Sequence, residues 1–198
     1  MSAVAAIVLA AGRSTRMGAA NKLLCRVDGK PMVAHAVAAA LASRARPVIV
    51  VTGHEADEVE AVLPQGLAVV RNADHASGIA SSLRCGLAAV PDGAEAAVVL
   101  LGDMPRVGAA AVDRLIALFE EAPQVAAVAP TWQGQPGNPV LLARRLFADV
   151  MQLKGDEGAR RLFAGRSDVM TVAMDDPAVA IDIDTPEALA GLATAGGT

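Results

Sequence analysis

The chain has 198 residues, which suits one domain or one domain with a small appendage. Hydrophobic residues make up 54% and aromatics only 2%, so a sizeable core is built from small aliphatics, and stacking platforms for single-stranded nucleic acid are absent. A net charge of −4 without a basic run argues against a nucleic-acid partner, and without an apolar run of about 18 residues there is no case for a membrane.

In chain order, the apolar run Val4–Leu9 reads as a strand buried on both faces. A helix is expected over Pro31–Ser43, with Pro31 in its first turn after the Asp28-Gly29-Lys30 turn. Strand Pro47–Thr52, helix Asp57–Leu63, strand Leu67–Val70 and helix Ile79–Val90 come next, then strand Ala96–Leu101 and helix Gly108–Glu121. Beyond strand Val125–Pro130 the pattern changes. The turn-rich segment Trp132-Gln133-Gly134-Gln135-Pro136-Gly137-Asn138-Pro139 predicts a hairpin or small lobe ahead of strand Val140–Leu142. Helices Ala143–Met151 and Glu157–Ala164, strands Val169–Val172 and Val179–Ile183, and helix Pro186–Leu192 (Thr185 as N-cap) complete the series.

Strands separated by helices of about 10–15 residues mean βαβ units, hence an α/β fold with a mostly parallel sheet. A single domain is expected over 1–193, with a nucleotide-binding half near 1–107, an acceptor-binding part near 108–193 and a flexible tail at 194–198. Cys25 and Cys85 lie far apart and outside CxxC spacing, so two reduced thiols in a cytoplasmic protein are expected, and no secretory signal pattern opens the chain.

Four constellations carry chemistry. The loop after the first strand, Ala10-Ala11-Gly12-Arg13-Ser14-Thr15-Arg16-Met17-Gly18 with Lys22 beyond it, combines glycines, backbone N–H groups and cations, as a nucleotide phosphate requires. It is neither a Walker A nor a GxGxxG fingerprint. In Leu101-Gly102-Asp103-Met104-Pro105, Asp103 follows a buried strand and suits Mg²⁺, which is held by one or two carboxylates plus substrate phosphates. In Asp182-Ile183-Asp184, strand alternation separates the two acids; Asp184 is the better metal ligand and Asp182 a structural hydrogen-bonder. The loop from Arg71 to Leu83, with Asn72, Ser81 and Ser82, leads into a helix whose N-terminus offers N–H groups and hydroxyls to an anion or a base edge. His35 reads as a satisfied helix residue, and His54 and His75 lack the spacing for zinc or a nucleophilic dyad.

Together these motifs resemble the nucleotidyltransferases with a Rossmann-like, glycosyltransferase-A-type, three-layer αβα fold. Within that superfamily, Asn21-Lys22-Leu23-Leu24, Gly78-Ile79-Ala80-Ser81-Ser82-Leu83, Gly137-Asn138-Pro139-Val140, Gly155-Asp156-Glu157-Gly158-Ala159-Arg160 and Asp182-Ile183-Asp184-Thr185-Pro186-Glu187 are similar to the MocA-like proteins, which include molybdenum cofactor cytidylyltransferase. The resemblance spans nearly the whole chain, Val4 to Leu192.

It implies transfer of CMP from CTP to molybdenum-bound molybdopterin, with Mg²⁺ and release of pyrophosphate. By motif, Arg16 and Lys22 would bind the triphosphate and stabilise developing charge, and Asp103, helped by Asp184, would hold the metal. Leu9, Ala10, Ala11, Gly12, Arg13, Asn72, Ser81 and Ser82 would bind the nucleotide. Gly137, Asn138, Pro139, Gly155, Asp156, Gly158 and Arg160 would shape the acceptor pocket. Related guanylyltransferases carry Leu-Ala-Gly-Gly where Ala11 stands here, and a methyl group there would crowd a purine and favour cytosine. The alternatives are a nucleotidyltransferase with another nucleotide or phosphate acceptor, and a non-catalytic accessory protein delivering cofactor to a molybdenum hydroxylase. That hydroxylase apoenzyme, or a chaperone, is the expected protein partner.

Overall fold

The computed structural model describes residues 3–13 and 21–183. Its frame is set by β1 (Val4–Ala10), whose seven residues are all buried. Alternation along this strand serves two cores at once. Val4, Ala6, Val8 and Ala10 point to one face of the sheet, while Ala5, Ile7 and Leu9 point to the other. The first face is covered by α1 (Met32–Ala42), α2 (Ala56–Ala61) and α4 (Ala109–Glu121), through Val33, Val37, Val59, Val112, Leu115 and Phe119. The second is covered by α3 (Ile79–Ala88) and α5 (Phe147–Val150), through Leu83, Leu87, Phe147 and Val150. Helices on both faces of a mixed sheet give the expected three-layer αβα architecture.

The remaining strands are β2 (Arg26–Val27), β3 (Lys30–Pro31), β4 (Val48–Thr52), β5 (Ala68–Arg71), β6 (Ala96–Leu101), β7 (Ala127–Trp132), β8 (Gln135–Pro136), β9 (Val140–Ala143) and β10 (Val169–Ala173). Among the described residues the main sheet runs β10-β7-β9-β6-β1-β4-β5, with β8 paired to β7. The β1–β4, β1–β6, β4–β5 and β7–β10 pairs are parallel, and β9 is antiparallel between β6 and β7. The expected turn-rich hairpin is the β7–β8 pair, which turns over Gln133 and Gly134, both at positive φ.

Four sequence expectations change. Pro31 is the N-cap of α1, one position before its first turn, because Lys30-Pro31 pairs with Arg26-Val27 across an Asp28-Gly29 turn with both residues at positive φ. The expected helix over 143–151 divides into a 3-10 turn at Arg144–Leu146 and the short α5. The expected helix over 157–164 is a 3-10 turn, Ala159–Phe163. The expected strand over 179–183 is not formed. Asp176 caps a 3-10 turn at Pro177–Ala180 by accepting from Ala178 N at 2.9 Å, and Val179 O accepts from Asn138 N at 2.7 Å instead of joining a ladder. The alternation argument that separated Asp182 from Asp184 therefore lapses, and Asp182 is exposed. The expected helix over 186–192 lies outside the described residues.

No helix among the described residues is long and apolar enough to cross a membrane. At the outer end of β5, Arg71 bridges Asp57 and Glu60 of α2 at 2.7 Å each, and this pairing holds the Glu60 carboxyl below its usual range.

Candidate active site

The parallel register of β1, β4, β5 and β6 brings their carboxyl ends to one edge, where ligands of open α/β sheets bind. Hydrogen bonds continue beyond the strands. Gly102 N donates to Leu9 O at 2.9 Å, His54 N to Ala11 O at 3.3 Å, and Asn72 N to Thr52 O at 2.8 Å. A cleft of about 500 Å³ opens there, lined on one side by Leu9, Ala11, Gly12 and Arg13 and on the other by Gly78, Ile79 and Ser82. A β-carbon at Gly12 would meet nothing within 4 Å, so its backbone is open to close approach from the cleft.

Lys22 and Asp103 meet in this cleft. Lys22 opens a 3-10 turn, Lys22–Leu24, whose N-cap Asn21 accepts from Leu23 N at 3.1 Å through its side chain. Asp103 stands just past β6, and the intervening Gly102 allows the chain to pass close to Leu9 O, 3.0 Å from where a β-carbon would stand. Lys22 Nζ donates to Asp103 Oδ2 at 2.6 Å, and the two side chains are only 12% and 20% exposed. The other oxygen, Asp103 Oδ1, is buried and has no hydrogen-bond partner among the described residues. Ile183 N donates to Asp103 O at 3.1 Å, which brings the chain just before Asp184 alongside Asp103. Asp184 itself and Arg16 lie outside the described residues.

The opposite wall is held by a buried amide. Asn72, 6% exposed, donates from Nδ2 to Ser81 Oγ at 2.8 Å and Ser82 Oγ at 3.0 Å, while its Oδ1 accepts from Asp74 N at 3.0 Å. The 72–78 loop is thereby fastened to the start of α3. Gly78, at φ +102°, lies so close to the 155–156 segment that a β-carbon would fall 2.3 Å from Gly155 C and 2.7 Å from Asp156 Oδ1. Ala80 N donates to Gly155 O at 3.0 Å, and Arg84 of α3 donates to Leu153 O. Asp156 is thus carried into the cleft from a distant part of the chain.

Of the residues singled out by sequence, Leu9, Ala11, Gly12, Arg13, Lys22, Ser82, Asp103 and Asp156 line the cleft. Ala10 faces the opposite core, and Asn72 and Ser81 stand behind the wall as its fasteners. Gly137, Asn138 and Pro139 pack elsewhere: a β-carbon at Gly137 would fall 2.5 Å from Val179 O, so this motif seats the 177–180 turn. Gly158 precedes the 3-10 turn that carries Arg160, whose side chain donates to Pro136 O at 2.9 Å and ties that turn to the hairpin.

His75, given no role by sequence, lines the cleft. It fills the space beside Gly53, where a β-carbon would fall 2.6 Å from His75 Cβ and 2.8 Å from Ala11 Cβ. Its Nδ1 is buried without a partner among the described residues, and its ring lies 5.9 Å from that of His54. The signal was its place in a loop between a strand end and a helix start, not any spacing between histidines. His35 is satisfied as expected, with Nε2 2.8 Å from Val27 O.

Comparison with known proteins follows the same residues. Positions 6–172 match the model of the MobA-like NTP transferase domain. The purine catabolism protein PucB of Bacillus subtilis is 35% identical over 195 residues, covering 91% of each chain. The homologue of Mycobacterium tuberculosis Rv0371c from Mycobacterium sp. strain JC1 superposes with a TM-score of 0.85 at 31% identity, covering 97% of this chain and 98% of that one. M. tuberculosis Rv0371c in complex with manganese gives 0.83 at 29% identity, covering 96% and 98%. The bifunctional protein GlmU of Sorangium cellulosum is 40% identical over 107 residues, half of this chain, and the chain spans only 23% of that protein's length. The chain belongs to the MobA-like NTP transferase family, as a nucleotidyltransferase domain of the MobA-like type.

Proposed function

We propose that the protein is a molybdenum cofactor cytidylyltransferase of the MocA-like type, moving CMP from CTP to molybdenum-bound molybdopterin. The observation that carries this reading is the Lys22–Asp103 pair at the carboxyl edge of the sheet, inside an open cleft bordered by Gly12 and the start of α3. A phosphate oxygen of the acceptor attacks the α-phosphorus of CTP; the bond from that phosphorus to the bridging oxygen breaks, and pyrophosphate leaves with the electron pair.

The buried, unpartnered Oδ1 of Asp103 fits a divalent cation, and Rv0371c is known in complex with manganese. In this reading Asp103 and Asp184 would hold Mg²⁺, which would supply charge neutralisation on the phosphate oxygens. Lys22 and Arg16 stabilise the negative charge that grows on the leaving pyrophosphate, work that consists of positioning and electrostatics with no covalent contribution from the protein. Asn72, by fixing Ser81 and Ser82, keeps the base side of the cleft in register. Ala11, which lines the cleft beside Gly53, would crowd a purine there and favour cytosine. Asp156, which lines the cleft, would help to shape the acceptor pocket. A molybdenum hydroxylase apoenzyme would be the eventual recipient of the product.

The test is pyrophosphate release by purified protein with Mg²⁺, molybdopterin and a panel of nucleotides. CTP should exceed GTP in kcat/KM by at least ~10-fold, about 1.4 kcal/mol of discrimination, and Ala11→Gly should narrow the gap. Equal use of the two nucleotides by the unmodified protein would rule out cytosine selectivity. Turnover with a sugar phosphate but not with molybdopterin would replace the acceptor, and no release with any nucleotide would favour a non-catalytic accessory role.

A further inference from the structure

Segment 153–156 reaches the cleft from a distant part of the chain, and α3 holds it at two points. Ala80 N, in the first turn of α3, donates to Gly155 O at 3.0 Å, and the Arg84 guanidinium, one turn further on, donates to Leu153 O. The near end of the segment is anchored by Leu153, 4% exposed in the second core. At its far end Asp156 lines the cleft beside Gly78, where a β-carbon would fall 2.7 Å from Asp156 Oδ1. A turn closed by Glu157 N, which donates to Lys154 O at 3.1 Å, joins the two ends.

Arginines tie down carbonyls elsewhere too. Arg46 donates to Leu41 O and Ser43 O, Arg144 to Ala94 O and Arg145 to Gln124 O, but none of those held residues lines the cleft. Arg84 differs in what it holds, a segment that ends on a cleft-lining carboxylate, while Arg84 itself stands outside the cleft. The nucleotide side of α3 is fastened separately, by Asn72 on Ser81 and Ser82. Loss of the Arg84 tie therefore loosens 153–156 and leaves Ser82 in place.

We propose that Arg84 is a positioning residue for the second substrate: through Leu153 O it holds Asp156 at the cleft wall, where the carboxylate takes a hydrogen bond from the acceptor. A carboxylate accepts hydrogen bonds, so the group it meets on the acceptor is an N–H or O–H donor. The placement matters because a substrate must be held in line with the group it attacks, and small displacements of a positioning contact are costly. The inference rests on the reading of the Asp156 side of the cleft as the acceptor side. It depends on neither the base of the nucleotide nor the ligands of the metal.

The experiment is steady-state kinetics of pyrophosphate release with Mg²⁺, CTP and molybdopterin, each substrate varied in turn. Arg84→Met keeps the apolar stem and removes the donors. It should raise KM for the acceptor by at least ~5-fold, a small part of the ~10²-fold that an ångström of misplacement can cost, and leave KM for the nucleotide within ~2-fold. Arg84→Lys, which keeps a donor, should recover most of the loss. Once Asp156→Ala has removed the group that Arg84 places, adding Arg84→Met should cost nothing more. Equal rises in both KM values, an unmoved KM for the acceptor, or full additivity with Asp156→Ala overturns the proposal. If Arg84→Met does not fold, Asp156→Ala decides the matter: it should raise KM for the acceptor and not for the nucleotide, and an acceptor KM left unmoved overturns the proposal. Release with another phosphate acceptor and none with molybdopterin defeats the cytidylyltransferase reading, and the same comparisons are then read with that acceptor. No release with any acceptor overturns both.

Discussion

At Asp103 one carboxylate oxygen is bound and the other is buried without a partner among the described residues, while the residue itself lies outside both apolar core clusters that flank the sheet. Asp103→Ala should therefore leave the circular dichroism spectrum and the melting cooperativity unchanged. Turnover should fall by at least ~10²-fold, the scale of losing a main transition-state charge contact. Near-normal kcat at saturating Mg²⁺ would remove Asp103 from the chemistry. Lys22→Ala makes a different prediction. Because negative charge builds as pyrophosphate departs, kcat should drop by a larger factor than KM for the nucleotide rises. Steady-state kinetics that moved KM alone would make Lys22 a ground-state binding residue.

Among the elements, β1, β4 and β6 were legible because each is a continuous apolar run, the mark of a strand covered on both faces. The candidate site was legible for the same reason: once those strands are parallel, the residues that follow them share an edge. What could not be read is which way short segments turn. β2, β3 and β8 have two residues each, too few to show a period. The 177–183 segment has a strand-like composition, yet an aspartate cap and an off-ladder bond to Asn138 decide its shape. Nor does a linear sequence show that Asn72 fastens Ser81 and Ser82, that Ala10 faces away from the cleft, or that Gly137 serves the 177–180 turn, since each depends on contacts between distant segments.

The seat of α3 on the sheet is a further case of such contact. A β-carbon at Gly86 would fall 2.6 Å from Ile7 Cγ2 and 3.0 Å from Val51 Cγ2, both on buried β-branched side chains that cannot swing aside. Overpacking of this kind costs about 1–3 kcal/mol, and the helix propensity gained from alanine returns about 1 kcal/mol at most. Gly86→Ala should lower the midpoint of urea unfolding, and by shifting α3 it should also raise KM for the nucleotide. A midpoint that rose would show that helix propensity outweighs the close seat.

At the scale of the whole molecule, the parallel β5-β4-β1-β6 half supplies the strand ends that form the cleft, and the half around β7, β9 and β10 delivers Asp156 to its opposite wall. Lys22, Arg13, Asp103 and Asp156 line the same space, with Lys22 paired to Asp103; on the proposed reading a triphosphate would lie toward Lys22 and Arg13 and away from Asp156. The most direct test of cytidylyl transfer follows the α-phosphate itself: CTP labelled at the α-phosphorus is mixed with Mg²⁺, molybdopterin and excess protein in a single turnover, and the products are separated and weighed by mass spectrometry. The label is predicted to appear in a molybdopterin cytosine dinucleotide in step with the pyrophosphate released. Label recovered as CMP, or left in CTP while another nucleotide is consumed, would contradict it.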